Sequence, residues 1–315
     1  MNTTTHPLRH INQFLQWWNS LETVKSPCYA GVNVVIDSIN TFSSSEFHEL
    51  LIVKLKVNGE NCRWIVKDAV QNSFFGAATY HDLYNKLVNQ NLAPELVARS
   101  NQYECFSFME GHTLNEGNNS TLECSQLAVH CIHNHLTFSR KLSQDYLSDF
   151  IIKLKPYLIH LISMVNDDIA INDQVLEALL DEINNRSANA NLIVCHGDLN
   201  WGNILKSNRH VVAIDWEYFG ALPLEYEVAM TMSINQLDKQ SQSNMLSQLT
   251  SLIEDDVCFD NSLFEVYLQF CHLINFLWVS VERAEGNKTF LSYYFSEECG
   301  APINNLLEVN EIKGL

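Results

Sequence analysis

Basic side chains are scarce in this 315-residue chain: 19 lysines and arginines stand against 37 aspartates and glutamates, a formal charge of −18. So acidic a surface repels phosphodiester backbones and anionic lipid headgroups, which excludes nucleic acid as an expected partner. The nine cysteines are odd in number, none lies in a C-x-x-C pair, and several sit inside apolar runs. A disulfide framework is therefore not expected, and a reducing, cytoplasmic setting is. The chain does not open on a basic stretch followed by an apolar one, and the longest apolar runs, 157–165 and 271–281, are short for a bilayer and carry polar residues. No membrane insertion is expected. Internal repeats, low-complexity tracts and any signature of a particular oligomeric state are also missing. What is there is ordinary for a folded protein, 46% hydrophobic and 18% charged residues, and the length leaves room for two units.

Apolar residues recurring at helical spacing predict a leading helix over 8–24, with a packing role. Strand-like texture follows around 32–36, 50–57 and 62–67, the last two joined by a turn at Asn58-Gly59-Glu60-Asn61. A helix over 76–90, a break at Leu92-Ala93-Pro94 and strands at 96–99 and 103–109 complete a small sheet unit. After Met109-Glu110-Gly111 the three- and four-residue spacing predicts helices over 123–136, 144–166 and 173–185. A β-rich island at 192–214 interrupts them, and helices return from about 224. The expected fold class is α+β: an N-terminal sheet lobe, 1–110, and a mainly helical C-terminal lobe, 111–315.

The island carries the chemistry. It reads Val194-Cys195-His196-Gly197-Asp198-Leu199-Asn200-Trp201-Gly202-Asn203-Ile204-Leu205, then Val211-Val212-Ala213-Ile214-Asp215-Trp216-Glu217-Tyr218. Asp198 and Asn203 share one loop and Asp215 ends the next strand, so a hairpin would bring three oxygen-bearing side chains to one point. Mg²⁺ is a hard ion that takes a few such oxygens together with substrate phosphates. Phosphoryl transfer needs the metal placed and the acceptor hydroxyl oriented, with little covalent help. Asp198 would orient the attacking hydroxyl or accept its proton, while Asn203 and Asp215 would hold Mg²⁺. The plainer alternative is a turn in which Asp198 caps backbone amides, followed by an ordinary strand end at Asp215.

These two motifs resemble the catalytic loop H-[GN]-D-x-x-x-x-N and the metal motif I-D-[FW]-E of the aminoglycoside phosphotransferase and choline/ethanolamine/thiamine kinase superfamily. The resemblance implies a bilobal, protein-kinase-like fold and an ATP- and Mg²⁺-dependent kinase of a small hydroxylated molecule. It gives Lys67, at the end of a strand, the grip on nucleotide phosphates, and gives His196 an ordering role in the loop. It assigns the phosphate-covering turn to Ser43, Ser44 and Ser45, where relatives often carry glycines. It implies backbone contacts to adenine from about Ser107 and Met109, with Gly111 freeing the hinge between lobes. The helix glutamate that pairs with the lysine in the family is absent. Its position falls near Tyr80, with Asp82 the nearest acid.

Asp-Trp-Glu resembles the choline and thiamine kinase branch, which places Glu217 beside metal or substrate. The stretch 276–286 resembles that branch's late helix, implying that Trp278 and Glu282 line a pocket for a cationic group, held by cation–π attraction. Trp278 packed in the core with Phe276 and Leu277 is the alternative. Trp201, inside the catalytic loop, is a further acceptor contact. Nine acids and a single lysine between 215 and 260 suit a cationic acceptor, although most are expected on solvated helix faces. His130, His133 and His135 lack the partners of a zinc site. The leading expectation is a thiamine or choline/ethanolamine type of acceptor. An aminoglycoside or another small alcohol or sugar, or a nucleotide-binding pseudoenzyme with a regulatory role, stands as the alternative.

Overall fold

The structure is a computed structural model that describes residues 8, 10–20, 23–44, 49–68, 77–165, 170–207, 210–253, 258–281 and 288–308. The chain divides into two compact units, Met1–Ser73 with His81–Glu110 and Phe74–Tyr80 with Gly111–Leu315, so the first turn of the helix after the β-hairpin is grouped with the second unit and not with residues 1–110 as expected. One is a small antiparallel sheet with two helices; the other is mainly helical.

In the first unit, α1 (Ile11–Trp18) is shorter than its periodicity predicts and precedes a six-stranded sheet. Its members are β1 (Val24–Lys25), β2 (Val34–Ser44), β3 (Glu49–Val57), β4 (Glu60–Asp68), β5 (Leu96–Arg99) and β6 (Tyr103–Ser107), ordered β1-β5-β6-β4-β3-β2. The two-residue alternation of strands sorts the side chains. Leu51, Val53 and Leu55 of β3 and Trp64 and Val66 of β4 join Phe14, Trp17 and Trp18 in one core. Trp18 stacks on Trp64 with ring centroids 4.9 Å apart. Ile52, Lys54, Arg63, Ile65 and Lys67 therefore take the other face. Asn58 and Gly59 close the β3–β4 hairpin with φ of 51° and 90°, the left-handed backbone that a two-residue hairpin turn demands. Helix α2 (Ala77–Asn89) sets Tyr84 edge-on to Phe106, 6.1 Å between centroids.

The second unit opens with β7 (His112–Thr113), α3 (Thr121–Ser139), α4 (Gln144–Ser148), α5 (Leu154–Met164), β8 (Ala170–Ile171) and α6 (Asp173–Ser187). The island then supplies β9 (Leu192–Cys195), β10 (Ile204–Lys206), β11 (Val211–Ala213) and β12 (Gly220–Pro223). It is followed by α7 (Leu224–Ile234), α8 (Lys239–Leu252), α9 (Asn261–Val281), α10 (Lys288–Tyr293) and β13 (Leu307–Glu308). β9 pairs with β12, and β10 lies between β11 and β7. The helix expected over 144–166 is split. Its middle is recruited by β12, with Ala221 N–H donating to Phe150 O at 2.8 Å and Ile152 N–H to Ala221 O at 3.3 Å. A Cβ on Gly111, at the boundary between the units, would sit 2.7 Å from Lys206 O, so close packing also demands a glycine there.

The run 271–281 belongs to a longer apolar helix than the sequence suggests. Asn261–Ser280 is long and apolar enough to cross a bilayer by length and composition, but 67% of its apolar window is buried inside the protein. His272 and Asn275 make buried hydrogen bonds there, as the central helix of a packed unit requires.

Candidate active site

The loop after β9 is shaped by a glycine. Gly197 has φ of 79°, and a Cβ there would lie 2.5 Å from Tyr218 O, so any other residue would collide with the backbone. The next residue, Asp198, has both carboxylate oxygens held. Asn200 Nδ2 donates to Oδ1 at 2.9 Å, and Asn203 Nδ2 donates to Oδ2 at 2.7 Å and to the Asp198 carbonyl at 3.0 Å. The β10–β11 hairpin pairs Ile204 with Ala213, and Ile214 N–H donates to Asn203 O at 2.9 Å. That register sets Asp215 next to Asn203. Asp215 is exposed and sits in the left-handed region, φ 63°, a costly conformation for a residue with a side chain. Burial and the neighbouring charges of Asp215 and Glu217 push the Asp198 carboxyl up to about 7, against the opposing pull of the Asn200 and Asn203 amides.

This donor set fits a hard divalent cation. Asn203 spends its amide nitrogen on Asp198, which leaves its amide oxygen free of that bond, and the hairpin register brings the backbone of Asp215 close to that of Asn203. Among the described residues no group of three His, Cys, Asp or Glu side chains is placed to hold a metal by itself, so an ion here would draw on the Asn203 amide oxygen and on substrate phosphate oxygens as well as on a carboxylate.

Beneath the loop lies a buried support that the sequence analysis missed. Glu227 of α7, 1% exposed, accepts the backbone N–H groups of His196 at 2.9 Å and Gly197 at 3.0 Å. Its Oε1 lies 3.5 Å from His135 Nδ1. Burial alone would raise the Glu227 carboxyl, but His135, His196 and the Gly197 amide outweigh it and hold it below the ordinary value. His196 is fully buried, and burial lowers its imidazole to about 4. Its neutral ring accepts from Asp198 N–H at Nδ1, 3.2 Å, and donates from Nε2 to Ile214 O at 2.9 Å. His196 thus ties the two loops together and has no access to a substrate proton. Trp216 fills the space beside it, 4.6 Å from the His196 ring and 5.0 Å from His135. The acids of this region were expected mostly on solvated faces. Glu225 and Glu227 instead lie in the interior, Glu225 accepting from Asp260 N–H at 2.8 Å. The signal that could have found Glu227 is an acid followed directly by the apolar run Val228-Ala229-Met230.

Trp278 is half-buried, whereas Phe276 and Leu277 are fully buried, so it does not share their packing. Its Nε1–H donates to Tyr157 Oη at 2.7 Å, and its ring stands edge-on to Tyr218 at 6.1 Å. Tyr157 and Tyr218 are 6.2 Å apart. Burial, Asp198 and Glu217 push the Tyr157 phenol up, and burial and Glu217, its hydrogen-bond partner, do the same for Tyr218. An aromatic wall therefore stands beside two carboxylates, and neither tyrosine was foreseen. Trp201 is half-buried, and Glu282 lies outside the described residues.

In the first unit, Lys67 shares a sheet face with Phe106, its Nζ 5.8 Å from that ring. Its cross-strand partner is Glu104, an acid only 6% exposed. Asp82, the nearest helix acid, lies 3.7 Å from Lys86 on its own helix. Ser43 and Ser44 do not form the expected turn: they continue β2 and pair with Leu50 and Glu49. Ser45 lies outside the described residues. The Ser107 amide is committed to Glu95 O at 2.9 Å and the Phe108 amide to Arg63 O at 2.9 Å, so Ser107 has no N–H to offer adenine. Met109, half-buried, follows them.

A family model described as "Phosphotransferase enzyme family" matches residues 53–249, more than half of the chain and the whole of the loop region. The chain belongs to this phosphotransferase family. No curated protein sequence matches this phosphotransferase. Its fold is similar to that of choline kinase LicA from Streptococcus pneumoniae, at 13% identity and a TM-score of 0.60, covering 82% of this chain and 91% of that one. A Plasmodium vivax ethanolamine kinase aligns at 15% identity and a TM-score of 0.58, over 84% and 80% of the two chains. An amicoumacin kinase in complex with AMP-PNP, Ca²⁺ and Ami aligns at 11% identity and a TM-score of 0.62, over 94% and 96%. The protein-kinase-like α+β fold and a phosphotransferase activity on a small hydroxylated acceptor follow.

Proposed function

We propose that this phosphotransferase moves the γ-phosphoryl group of ATP, with Mg²⁺, onto the hydroxyl of a small cationic acceptor of the choline, ethanolamine or thiamine type. The observation that carries the reading is the doubly held Asp198 carboxylate beside Asp215, Glu217 and an aromatic wall. When bound, the metal supplies neutralisation of phosphate charge, and Asn203 and Asp215 are the residues that would hold it. Asp198 aims its carboxylate at the acceptor hydroxyl, orienting it and taking its proton as the new bond forms. The two asparagine amides fix the rotamer of that carboxylate, so little reorganisation is needed during reaction. Tyr157, Tyr218 and Trp278 would receive the cationic end by cation–π attraction, with Glu217 supplying opposite charge and Trp201 a further wall. Lys67 is the proposed phosphate contact, with buried Glu104 taking the place of the absent helix glutamate. Met109 is the proposed backbone contact for adenine. The similarity to a kinase bound to AMP-PNP and Ca²⁺ supports the nucleotide and a divalent ion as ligands. Nine free cysteines support a reducing compartment such as the cytoplasm.

The test is ADP release with Mg-ATP over a panel of thiamine, choline, ethanolamine, aminoglycosides and sugars. Turnover confined to cationic alcohols is the expected result. Preference for an aminoglycoside or a neutral sugar would reassign the acceptor. Mg²⁺-dependent stabilisation by ATP with no turnover on any acceptor would favour a pseudoenzyme.

A further inference from the structure

The span between Asp198 and Asn203 is gripped from outside by one side chain. Asn235 stands at the C-terminal end of α7, and its carboxamide uses both of its polar ends on neighbouring backbone. Its Oδ1 accepts Trp201 N–H at 2.9 Å, and its Nδ2 donates to Leu199 O at 2.8 Å and to Thr231 O at 2.8 Å. The two loop contacts flank Asn200, the residue that holds Asp198 Oδ1. Leu199 is also pinned by burial, at 1% exposure. The platform behind Asn235 is itself braced on both sides. Ser233 Oγ lies 2.8 Å from His272 Nδ1 and accepts from Asn275 Nδ2 at 2.8 Å. Leu237 O accepts from Tyr293 Oη at 2.6 Å and from Gln242 Nε2 at 2.7 Å. His272 and Gln242 both reach Cys299 O, at 3.0 Å each. The C-terminal residues 293–299 thus stiffen the end of α7 from which Asn235 reaches the loop.

We propose that Asn235 is a positioning residue for phosphoryl transfer: by clamping Leu199 O and Trp201 N–H it sets the spacing between the proton-accepting Asp198 and the metal-holding Asn203. This rests on the function proposed above. Only a carboxamide meets the pattern, because the site needs two donated hydrogens and one acceptor in one plane. Aspartate, of the same shape, would face two carbonyl oxygens with a carboxylate and lose both donations.

Asn235→Asp and Asn235→Ala, the second adding no charge, are compared with the full-length protein by steady-state kinetics, thermal melting and amide hydrogen exchange. The expected result is a kcat about tenfold or more lower in both, a KM for ATP within about threefold of the parent, and faster exchange of the 197–203 amides in folded protein. Wild-type kcat in either folded variant would overturn the proposal, as would a loss expressed wholly as a raised KM for ATP. If the parent protein turns over no acceptor, the functional reading has failed, and exchange alone judges the clamp. Unchanged protection of 197–203 in Asn235→Ala then refutes it, and faster exchange at an unchanged melting temperature upholds it.

Discussion

The two units bury different things. The core of the first is rings and aliphatic chains, Phe14, Trp17, Trp18 and Trp64 against Leu51, Val53 and Leu55, and among the described residues its one buried acid is Glu104, opposite Lys67. The second buries Glu225, Glu227, His135, His196 and His272. Burying a charge is costly unless hydrogen bonds or an opposite charge compensate it. Glu227 is compensated by the two amides at the start of the catalytic loop, and Glu104 stands beside the lysine proposed to grip phosphate. Apolar packing gives either unit its cohesion, whereas the acids at these two places fix where a functional group points.

The largest expected effect is at the loop itself. Asp198→Ala should lower kcat roughly 10²- to 10⁴-fold with little change in the KM for ATP, the range for removing a general base. Steady-state kinetics checks this, and an unchanged kcat would remove Asp198 from the mechanism. The contrast between cores comes next. Trp64→Ala and Glu227→Ala should each cost about 3–5 kcal/mol of stability, one by leaving a cavity and the other by orphaning two buried amides and removing the carboxylate beside His135. In the fraction that remains folded at low temperature, Trp64→Ala should keep its kcat and Glu227→Ala should lose it. Equal kcat in both variants would break the comparison.

Much of this arrangement was legible because it is local in sequence. Asn58-Gly59 specifies a hairpin turn by itself, and the alternation of 50–57 and 62–67 assigns faces to the strands beside it. His196 to Asn203 and Asp215 carry their spacing within twenty residues, so a hairpin brings them together. What escaped notice is joined across the chain. Glu227 meets His196 over 31 residues, Asn235 meets Trp201 over 34, and Trp278 meets Tyr157 over 121. No periodicity encodes such pairs. The serines at 43 and 44 have turn-like composition, yet pairing with β3 overrides it, and the helix through 149–153 yields to the backbone of β12.

A smaller effect is expected at the aromatic wall. Trp278→Ala should raise the KM for a cationic acceptor about 2- to 30-fold, the worth of one cation–π contact, while a neutral acceptor is unaffected. Loss of melting temperature without a KM change would return Trp278 to a packing role. The smallest effect concerns pH. Burial holds the His272 imidazole at about 4 in the folded chain, against 6.5 when unfolded. As pH falls from 6.5 toward 4, the unfolded state takes up a proton that the folded state refuses, so stability is lost across that window and levels off below it. Between pH 6.5 and 5.5 the loss is about 1 kcal/mol. A His272→Gln variant should therefore show a shallower decline of melting temperature with acid; an unchanged slope would contradict the assignment.

The claim at the centre is that Asn203 and Asp215 hold one divalent ion for the nucleotide beside Asp198. Mn²⁺ binding in the presence of ATP, followed by electron paramagnetic resonance, tests it most directly. The account predicts affinity at least about tenfold weaker in both Asn203→Ala and Asp215→Ala. Mn²⁺ bound by either variant as tightly as by the parent protein would contradict it.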